Sequence, residues 1–173
     1  MKLKHKFVIL LILILSPKAK AAEEIFLYKG TFSRSIKTEE LYKFRITKIP
    51  SQKLKSLLKI TNQKEKDFHR ILSLNIEIPI KASSKLMNSK IGEVFLSRLS
   101  KIIHPNKISN KRLNIKAIRS GLILSSYKNN ERINLIDFFK EYPNKNVAID
   151  LNALSKVLNK VESLKELIEF YSD

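Results

Sequence analysis

The most apolar stretch after residue 21 runs from Ile115 to Tyr127, where six of the thirteen residues are alanine, isoleucine or leucine. The single glycine of this stretch, Gly121, lies near its middle. Glycine inside a helix costs roughly 1 kcal/mol relative to alanine, so its presence indicates that another element packs closely there. The pattern predicts the central buried helix of a small helical domain.

Capping residues and apolar side chains at helical spacing predict six further helices. Their predicted starts are Thr38, Ser51, Asn62, Ser89, Asn134 and Asn152. Ser89 to Ile103 is the clearest of them, because its apolar positions follow the i, i+3, i+4 rule along its length. The last helix is predicted to extend to Tyr171.

The first 21 residues have the three parts of a secretory signal peptide. Three lysines lie within the first six positions, residues 7–15 are all apolar, and Ala19-Lys20-Ala21 is an A-x-A cleavage site. Nine apolar residues fall short of the roughly 20 that span a bilayer, although an uncleaved anchor is the alternative. We expect residues 22–173 to form one domain in the periplasm or outside the cell.

The expected cleavage gives a first prediction. Export should leave a chain that begins at Ala22, because the A-x-A site ends at Ala21. Intact-mass measurement of the protein from a cell-envelope fraction checks this, and a mass that includes residues 1–21 would contradict it.

Strand signals after the signal peptide are few. Ile25, Phe26 and Leu27 favour a strand, and Gly30 marks a bend after it. A second candidate, residues 145–149, lies near the end of the chain. With the seven helices above, the sequence predicts a mainly α fold: a compact bundle of six or seven helices with a small β element near the N-terminus of the mature chain.

The chain is strongly basic and contains no cysteine. Removing residues 1–21 takes away five lysines and no acids, which lowers the net charge from +18 to +13. Such a charge favours anionic partners, although an AT-rich genome that encodes many lysines is the alternative explanation. Without cysteine there are no disulfides, so the exported chain must be stable through its core alone.

The positive charge is concentrated between Lys81 and Lys116, which hold nine basic residues and one acid, Glu93. Residues 131–173, by contrast, carry six basic and eight acidic residues. Codon bias gives no reason for this separation, so we expect an anion-binding or partner-binding face, with ordinary solvated surface as the alternative. Its candidate residues are Lys101, Lys107, Lys111 and Arg112.

Nucleic acid is not the expected partner of this segment. No aromatic residues alternate with its charges, so it lacks the stacking platform of a single-strand binder. Export would also keep the protein away from nucleic acid. An anionic envelope surface or a secreted hydrolase with an acidic surface is the partner that we expect.

No catalytic or metal-binding motif is recognisable. The mature chain has two histidines, His69 and His104, and no cysteine, whereas a zinc site usually needs three or four ligands. Its three glycines are too far apart for a G-x-S-x-G elbow, a P-loop or a dinucleotide fingerprint. We expect no metal, no cofactor and no catalytic residue, with His69 on the surface and His104 at a helix end.

Two further patterns predict structure. Arg34 and Asp150 both adjoin apolar extended stretches, so we expect their strands to lie side by side and the two charges to meet; unrelated surface charges are the alternative.

From Leu154 to Tyr171, apolar residues step by three and four, which is typical of a coiled-coil seam or of a helix packed on its own core.

Several short motifs resemble a known family. They are Ser33-Arg34-Ser35-Ile36, Lys90-Ile91-Gly92-Glu93, Ala117 to Leu124, Ile133 to Ile136, Tyr142-Pro143 and Ala148-Ile149-Asp150-Leu151. In order and spacing they are similar to a bacterial, mainly cyanobacterial, domain of unknown function that often precedes an α/β-hydrolase domain in secreted proteins (domain of unknown function 1400). The resemblance covers nearly all of residues 24–160 and implies no catalytic residues. No hydrolase domain follows within this sequence.

Two hypotheses of function follow from these patterns. The leading one is an exported, non-catalytic binding or accessory domain. The alternative is a fragment of a hydrolase-family enzyme, or an esterase-like enzyme whose motif is not recognisable.

Overall fold

A computed structural model describes residues 21–106 and 110–158 of the chain. Within these residues it contains six strands and eight helices. The strands are β1 (Glu24–Lys29), β2 (Phe32–Lys37), β3 (Ile76–Glu77), β4 (Ile103–Pro105), β5 (Arg132–Ile133) and β6 (Asn146–Asp150). The helices are α1 (Thr38–Thr47), α2 (Gln52–Ile60), α3 (Glu65–Ser73), α4 (Ile80–Met87), α5 (Lys90–Leu99), α6 (Lys111–Lys128), α7 (Leu135–Glu141) and α8 (Leu151–Leu158).

The prediction of a mainly α bundle is wrong, because the fold is α/β. Four strands form one mixed sheet in the order β2-β1-β6-β4, and β3 pairs with β5 in a second, two-stranded sheet. β1 is antiparallel to β2 but parallel to β6, with Ile25 opposite Val147. The sequence predicts too small a sheet because the parallel pair of β1 and β6 joins segments from opposite ends of the described chain. No pattern within either segment indicates that the two will pair.

Two strands of the sheet have weak local signals. β2 reads FSRSIK, in which only Ile36 is buried. β4 contains Pro105, and the sequence pattern indicated a helix end there. β4 is an edge strand, where proline is tolerated because a missing N–H is not needed by a further strand.

The helix starts follow the predicted capping residues at three positions. Ser51, Ser89 and Asn134 each accept a hydrogen bond from the backbone N–H three residues later. Three capping predictions are wrong. Thr38 donates its hydroxyl to the Ala22 carbonyl and lies inside α1 rather than capping it, and Asn62 has a φ of 54° in the turn before α3. Asn152 lies inside α8, which Asp150 caps.

The helix predicted around Gly121 is the longest of the described helices, α6, and it packs against α4, α5 and α7. Only one side of it is buried, because Leu113, Leu124 and Tyr127 are exposed. The sheet turns Ile25, Leu27, Ile36, Ile103, Val147 and Ile149 into the core, where all are buried. Its other face carries Phe26, Tyr28 and His104, which are half-buried.

Two glycines are closely approached by neighbouring groups. A Cβ atom on Gly121 would lie 3.0 Å from Cε2 of Phe138 and 3.5 Å from the Tyr142 Cα, both on the α7 side of α6. A Cβ atom on Gly92 would lie 1.8 Å from the backbone oxygen of Leu86. That carbonyl accepts the Ser89 hydroxyl at 2.8 Å, so the α4–α5 turn holds it in place.

We predict that Gly92→Ala is far more damaging than Gly121→Ala. In Gly92→Ala the new Cβ atom pushes the backbone of Gly92 away from the Leu86 carbonyl. The unfolding free energy should fall by about 3 kcal/mol or more, the upper end of overpacking effects. Gly121→Ala should change stability by less than about 1 kcal/mol, because the gain in helix propensity offsets the contact with the Phe138 ring. Urea titrations followed by circular dichroism measure the unfolding free energy of both variants. An equal loss of stability in the two would contradict the close contact described for the α4–α5 turn.

Candidate anion-binding groove

A surface groove of about 560 Å³ lies between α5 and the start of α6. It is lined by Glu93, Val94, Ser97, Arg98, Lys101, Lys111, Arg112 and Ile115. Three of the four candidate residues from the sequence, Lys101, Lys111 and Arg112, therefore lie around one space. The fourth, Lys107, lies outside the described residues. We call this space with its lining residues the basic groove.

Arg98 is a fourth cation of the basic groove that the sequence interpretation did not single out. The sequence could have indicated Arg98, because it lies three residues before Lys101 and residues three apart on a helical turn share a face. None of the acidic residues in the described part of the chain forms an ion pair with Arg98, Lys101, Lys111 or Arg112.

Glu93, the acid that lines the groove, is paired elsewhere. Its carboxylate accepts a hydrogen bond from Arg119 of α6, and the Nε of that arginine donates to the Met87 carbonyl at 2.9 Å. Its pairing with Arg119 thus leaves the four groove cations without a described ion pair.

The first turn of α6 adds a second source of positive potential. Asn110 caps the helix by accepting the Leu113 N–H at 3.1 Å. The N–H groups of Lys111 and Arg112 belong to the first turn and have no intrahelical acceptor, and the helix dipole places partial positive charge there. An anion in the groove would meet side-chain cations and this helix end together.

A buried hydrogen-bond network holds the two sides of the groove together. Asn114, which is 4% exposed, donates from its amide nitrogen to the carbonyls of Ser100 at 2.8 Å and Ile103 at 3.0 Å. Its amide oxygen accepts the Tyr142 hydroxyl at 2.8 Å. Burial raises the pKa of the Tyr142 phenol, so it remains a donor throughout the physiological range. The residues after α5 and the first turn of α6 are thereby fixed relative to each other.

The outer face of the sheet brings together Tyr28, His104 and Asp150. The Tyr28 hydroxyl lies 3.4 Å from Nε2 of His104, whose Nδ1 lies 3.1 Å from the Pro105 carbonyl oxygen. Burial, and then the charge of Asp150, raise the pKa of the Tyr28 phenol. The expectation that His104 lies at a helix end is wrong, since it lies in β4. No described serine hydroxyl bonds to this imidazole, so the described cluster contains no serine–histidine pair.

His69 is half-buried, which corrects the expectation of a surface histidine. Its ring meets the Phe44 ring edge-on at 5.6 Å, and its Nε2 lies 2.9 Å from the Arg45 carbonyl oxygen. The Ser73 hydroxyl is 3.4 Å from the same nitrogen. Because Nε2 must carry a proton to donate to the carbonyl, it cannot also accept the Ser73 proton as a general base would.

Arg34 and Asp150 do not meet as expected. Their strands, β2 and β6, lie on opposite sides of β1, with Arg34 opposite Leu27 and Asp150 opposite Tyr28. Adjacent residues of β1 point to opposite faces, so the two charges are on opposite faces of the sheet. Asp150 instead caps α8 by accepting the N–H groups of Asn152 and Ala153 at 2.9 and 3.0 Å.

A second space, of about 120 Å³, is half open at the edge of the core and is lined by apolar side chains together with Asn134. Ligand pockets usually measure about 300–1,000 Å³, so this cavity is too small for such a ligand. Leu154 lines it and begins the apolar seam proposed for the C-terminus. The rest of that seam, Val157 to Tyr171, lies outside the part of the chain whose side chains are described.

Within residues 21–106 and 110–158, no three His, Cys, Asp or Glu side chains are grouped so that they could hold a metal ion. The same residues include no helix with the length and apolar character that crossing a bilayer requires.

Comparison with known proteins gives one match. A family model described as an alpha/beta hydrolase of unknown function (DUF1400) matches residues 21–150, which confirms the resemblance found in the sequence. The match ends at the last residue of β6 and includes the whole basic groove. Searches of curated proteins and of solved structures returned no match.

We predict that Asn114→Ala lowers the unfolding free energy by about 2–4 kcal/mol, because the change leaves the Tyr142 hydroxyl and two buried carbonyls without their partner. Tyr142→Phe should cost about 1 kcal/mol, and the double variant should cost less than the sum of the two. Asn88→Ala is the control, since Asn88 is exposed and bonds only to Ser84 of its own helix. Equal losses for Asn114→Ala and Asn88→Ala in urea titrations would refute the role of the network.

Proposed function

The chain belongs to the DUF1400 family of alpha/beta hydrolases of unknown function, and we propose that it acts as an exported, non-catalytic binding domain. Its basic groove contacts an anionic partner at the cell envelope, either an acidic surface of a secreted hydrolase or an anionic envelope component. The observation that carries this proposal is the convergence of Arg98, Lys101, Lys111 and Arg112 on one groove with no described acid paired to them.

The packing of the groove supports a binding role for these charges. Four like charges around one space repel each other and destabilise the compact state. In this protein the hydrogen bonds of Asn114 hold the residues after α5 against the first turn of α6, so the cations of the two segments lie close together. An anion that enters the groove relieves this repulsion. The relief adds to the free energy of binding.

The signal-peptide pattern of residues 1–21 supports export. The histidine surroundings support a non-catalytic role. His104 meets a tyrosine and a carbonyl, and His69 donates to a carbonyl. Neither is arranged as the base of a nucleophilic serine.

We predict that a variant with Arg98, Lys101, Lys111 and Arg112 all changed to glutamine loses binding to a soluble polyanion while its melting temperature stays the same or rises, because the repulsion among the four charges is removed. The natural chain should bind inorganic polyphosphate less tightly as salt rises, because exposed charges are screened over about 8 Å at physiological ionic strength. Isothermal titration calorimetry at low and high salt measures both effects.

The matched control changes the same amount of charge on another surface. Lys53, Lys55, Lys59 and Lys64 are exposed on α2 and just before α3. Changing these four to glutamine should leave most of the binding intact. If both fourfold variants lose binding equally, the attraction comes from net charge and the groove has no special role.

The family description favours a second candidate, a hydrolytic enzyme. A fluorophosphonate probe separates the two candidates, because it labels a serine only when a base and oxyanion donors activate it. Labelling of one serine at a defined site would support the enzyme and overturn the non-catalytic proposal. Ser73 is the serine to examine first, since it is the one that contacts a histidine among the described residues.

A further inference from the structure

Helix α6 has two different faces. Asn114, Ile115, Ile118, Gly121, Ser125 and Ser126 point into the protein and are buried. Residues 113, 116, 120, 124 and 127 step by three and four, which places them along the opposite face. We call this second set the outward face of α6. The helix has 18 residues and is therefore about 27 Å long.

The outward face is more apolar than a solvated helix surface needs to be. Leu113 is 57% exposed, Leu124 is 40% exposed and Tyr127 is 71% exposed. Single exposed apolar residues are normal on soluble proteins, but several on one helix face indicate an interaction surface. Val94, which lines the basic groove from the α5 side, is 55% exposed as well.

The basic groove adjoins this face. Arg112 precedes Leu113 in the first turn of α6, and Lys116 lies on the outward face itself. Glu93, the acid on the groove, is paired with Arg119. The outward face thus carries Leu113 near its N-terminal end, beside the uncompensated cations, and Leu124 and Tyr127 near its C-terminal end.

We propose that the outward face of α6 and the basic groove together bind the surface of an anionic lipid bilayer, with Leu113, Leu124 and Tyr127 entering the headgroup region. This inference rests on the proposed function and names the anionic partner as lipid. A soluble polyanion matches the cations but gives the apolar side chains nothing to be buried in. A bilayer with anionic headgroups matches both, because phosphates meet the cations while the acyl boundary accepts the leucines.

The geometry suits a helix that lies in the plane of the membrane. An interfacial helix buries one apolar face about 5–10 Å into the headgroup and acyl boundary. Tyr127 has the amphipathic ring that is enriched at this depth, and lysine can extend its ammonium group back to the phosphates. The opposite side of α6 stays packed on α4, α5 and α7, so the protein can keep its fold on the membrane.

The absence of tryptophan allows a direct test of insertion. Tyr127→Trp places the single tryptophan of the chain on the outward face. Phe32→Trp is the matched control, because Phe32 is 54% exposed in the β1–β2 hairpin, away from α6. The chain should begin at Ala22 for this experiment, since residues 7–15 would themselves bind lipid, and every described helix and strand lies after that point.

The vesicles contain phosphatidylglycerol mixed with phosphatidylcholine, and phosphatidylcholine alone serves as the neutral control. With the anionic vesicles, the fluorescence of the Tyr127→Trp variant should shift to the blue and be quenched by brominated acyl chains, while that of the Phe32→Trp variant should not change. Leu113→Ser and Leu124→Ser should each weaken vesicle binding by about tenfold and leave inorganic polyphosphate binding unchanged.

The outcomes separate this inference from the proposed function. If anionic vesicles bind without a fluorescence shift in the Tyr127→Trp variant and without any effect of the two serine variants, insertion is refuted and simple electrostatic binding remains. If polyphosphate binds and the vesicles do not, lipid is the wrong partner, and an acidic protein or polysaccharide takes its place. If neither binds, the proposed function fails as well.

Discussion

The buried amide of Asn114 is the constraint on which the arrangement of this protein depends. A polar side chain that is 4% exposed is stable only if its hydrogen bonds are made. Its partners come from the residues after α5, from β4 and from the residue after α7. One side chain therefore fixes the start of α6 relative to three other parts of the fold, and an apolar residue of the same size could not do so.

The groove and the sheet are connected through this amide. Ile103 belongs to β4, which pairs with β6, and β6 pairs with β1 from the other end of the described chain. Moving α6 would therefore disturb the sheet edge as well as the groove. This network fixes the backbone that carries the groove cations, so the proposed binding would not require these segments themselves to become ordered.

Several features were open to prediction from the sequence because each depends on neighbours along the chain. Ser51, Ser89 and Asn134 cap their helices through contacts three residues away. The clustering of basic residues around Lys101 and Arg112 is also local, so the groove could be proposed without a structure. Arg98 was missed because its charge lies in an otherwise ordinary amphipathic helix, although its spacing from Lys101 places the two on one face.

The sequence by itself determined most of the described helices, the long helix around Gly121 among them, the family and the basic segment, because local periodicity, capping and charge each depend on residues close together in the chain. Tertiary structure alone decided that the fold is α/β and that β1 lies between β2 and β6, which separates Arg34 from Asp150. It also decided that Gly92 meets the Leu86 carbonyl and that leucines remain exposed beside the cations. The physical reason is that these features arise from contacts between segments far apart in the chain, whose pairing depends on which surfaces the whole fold buries.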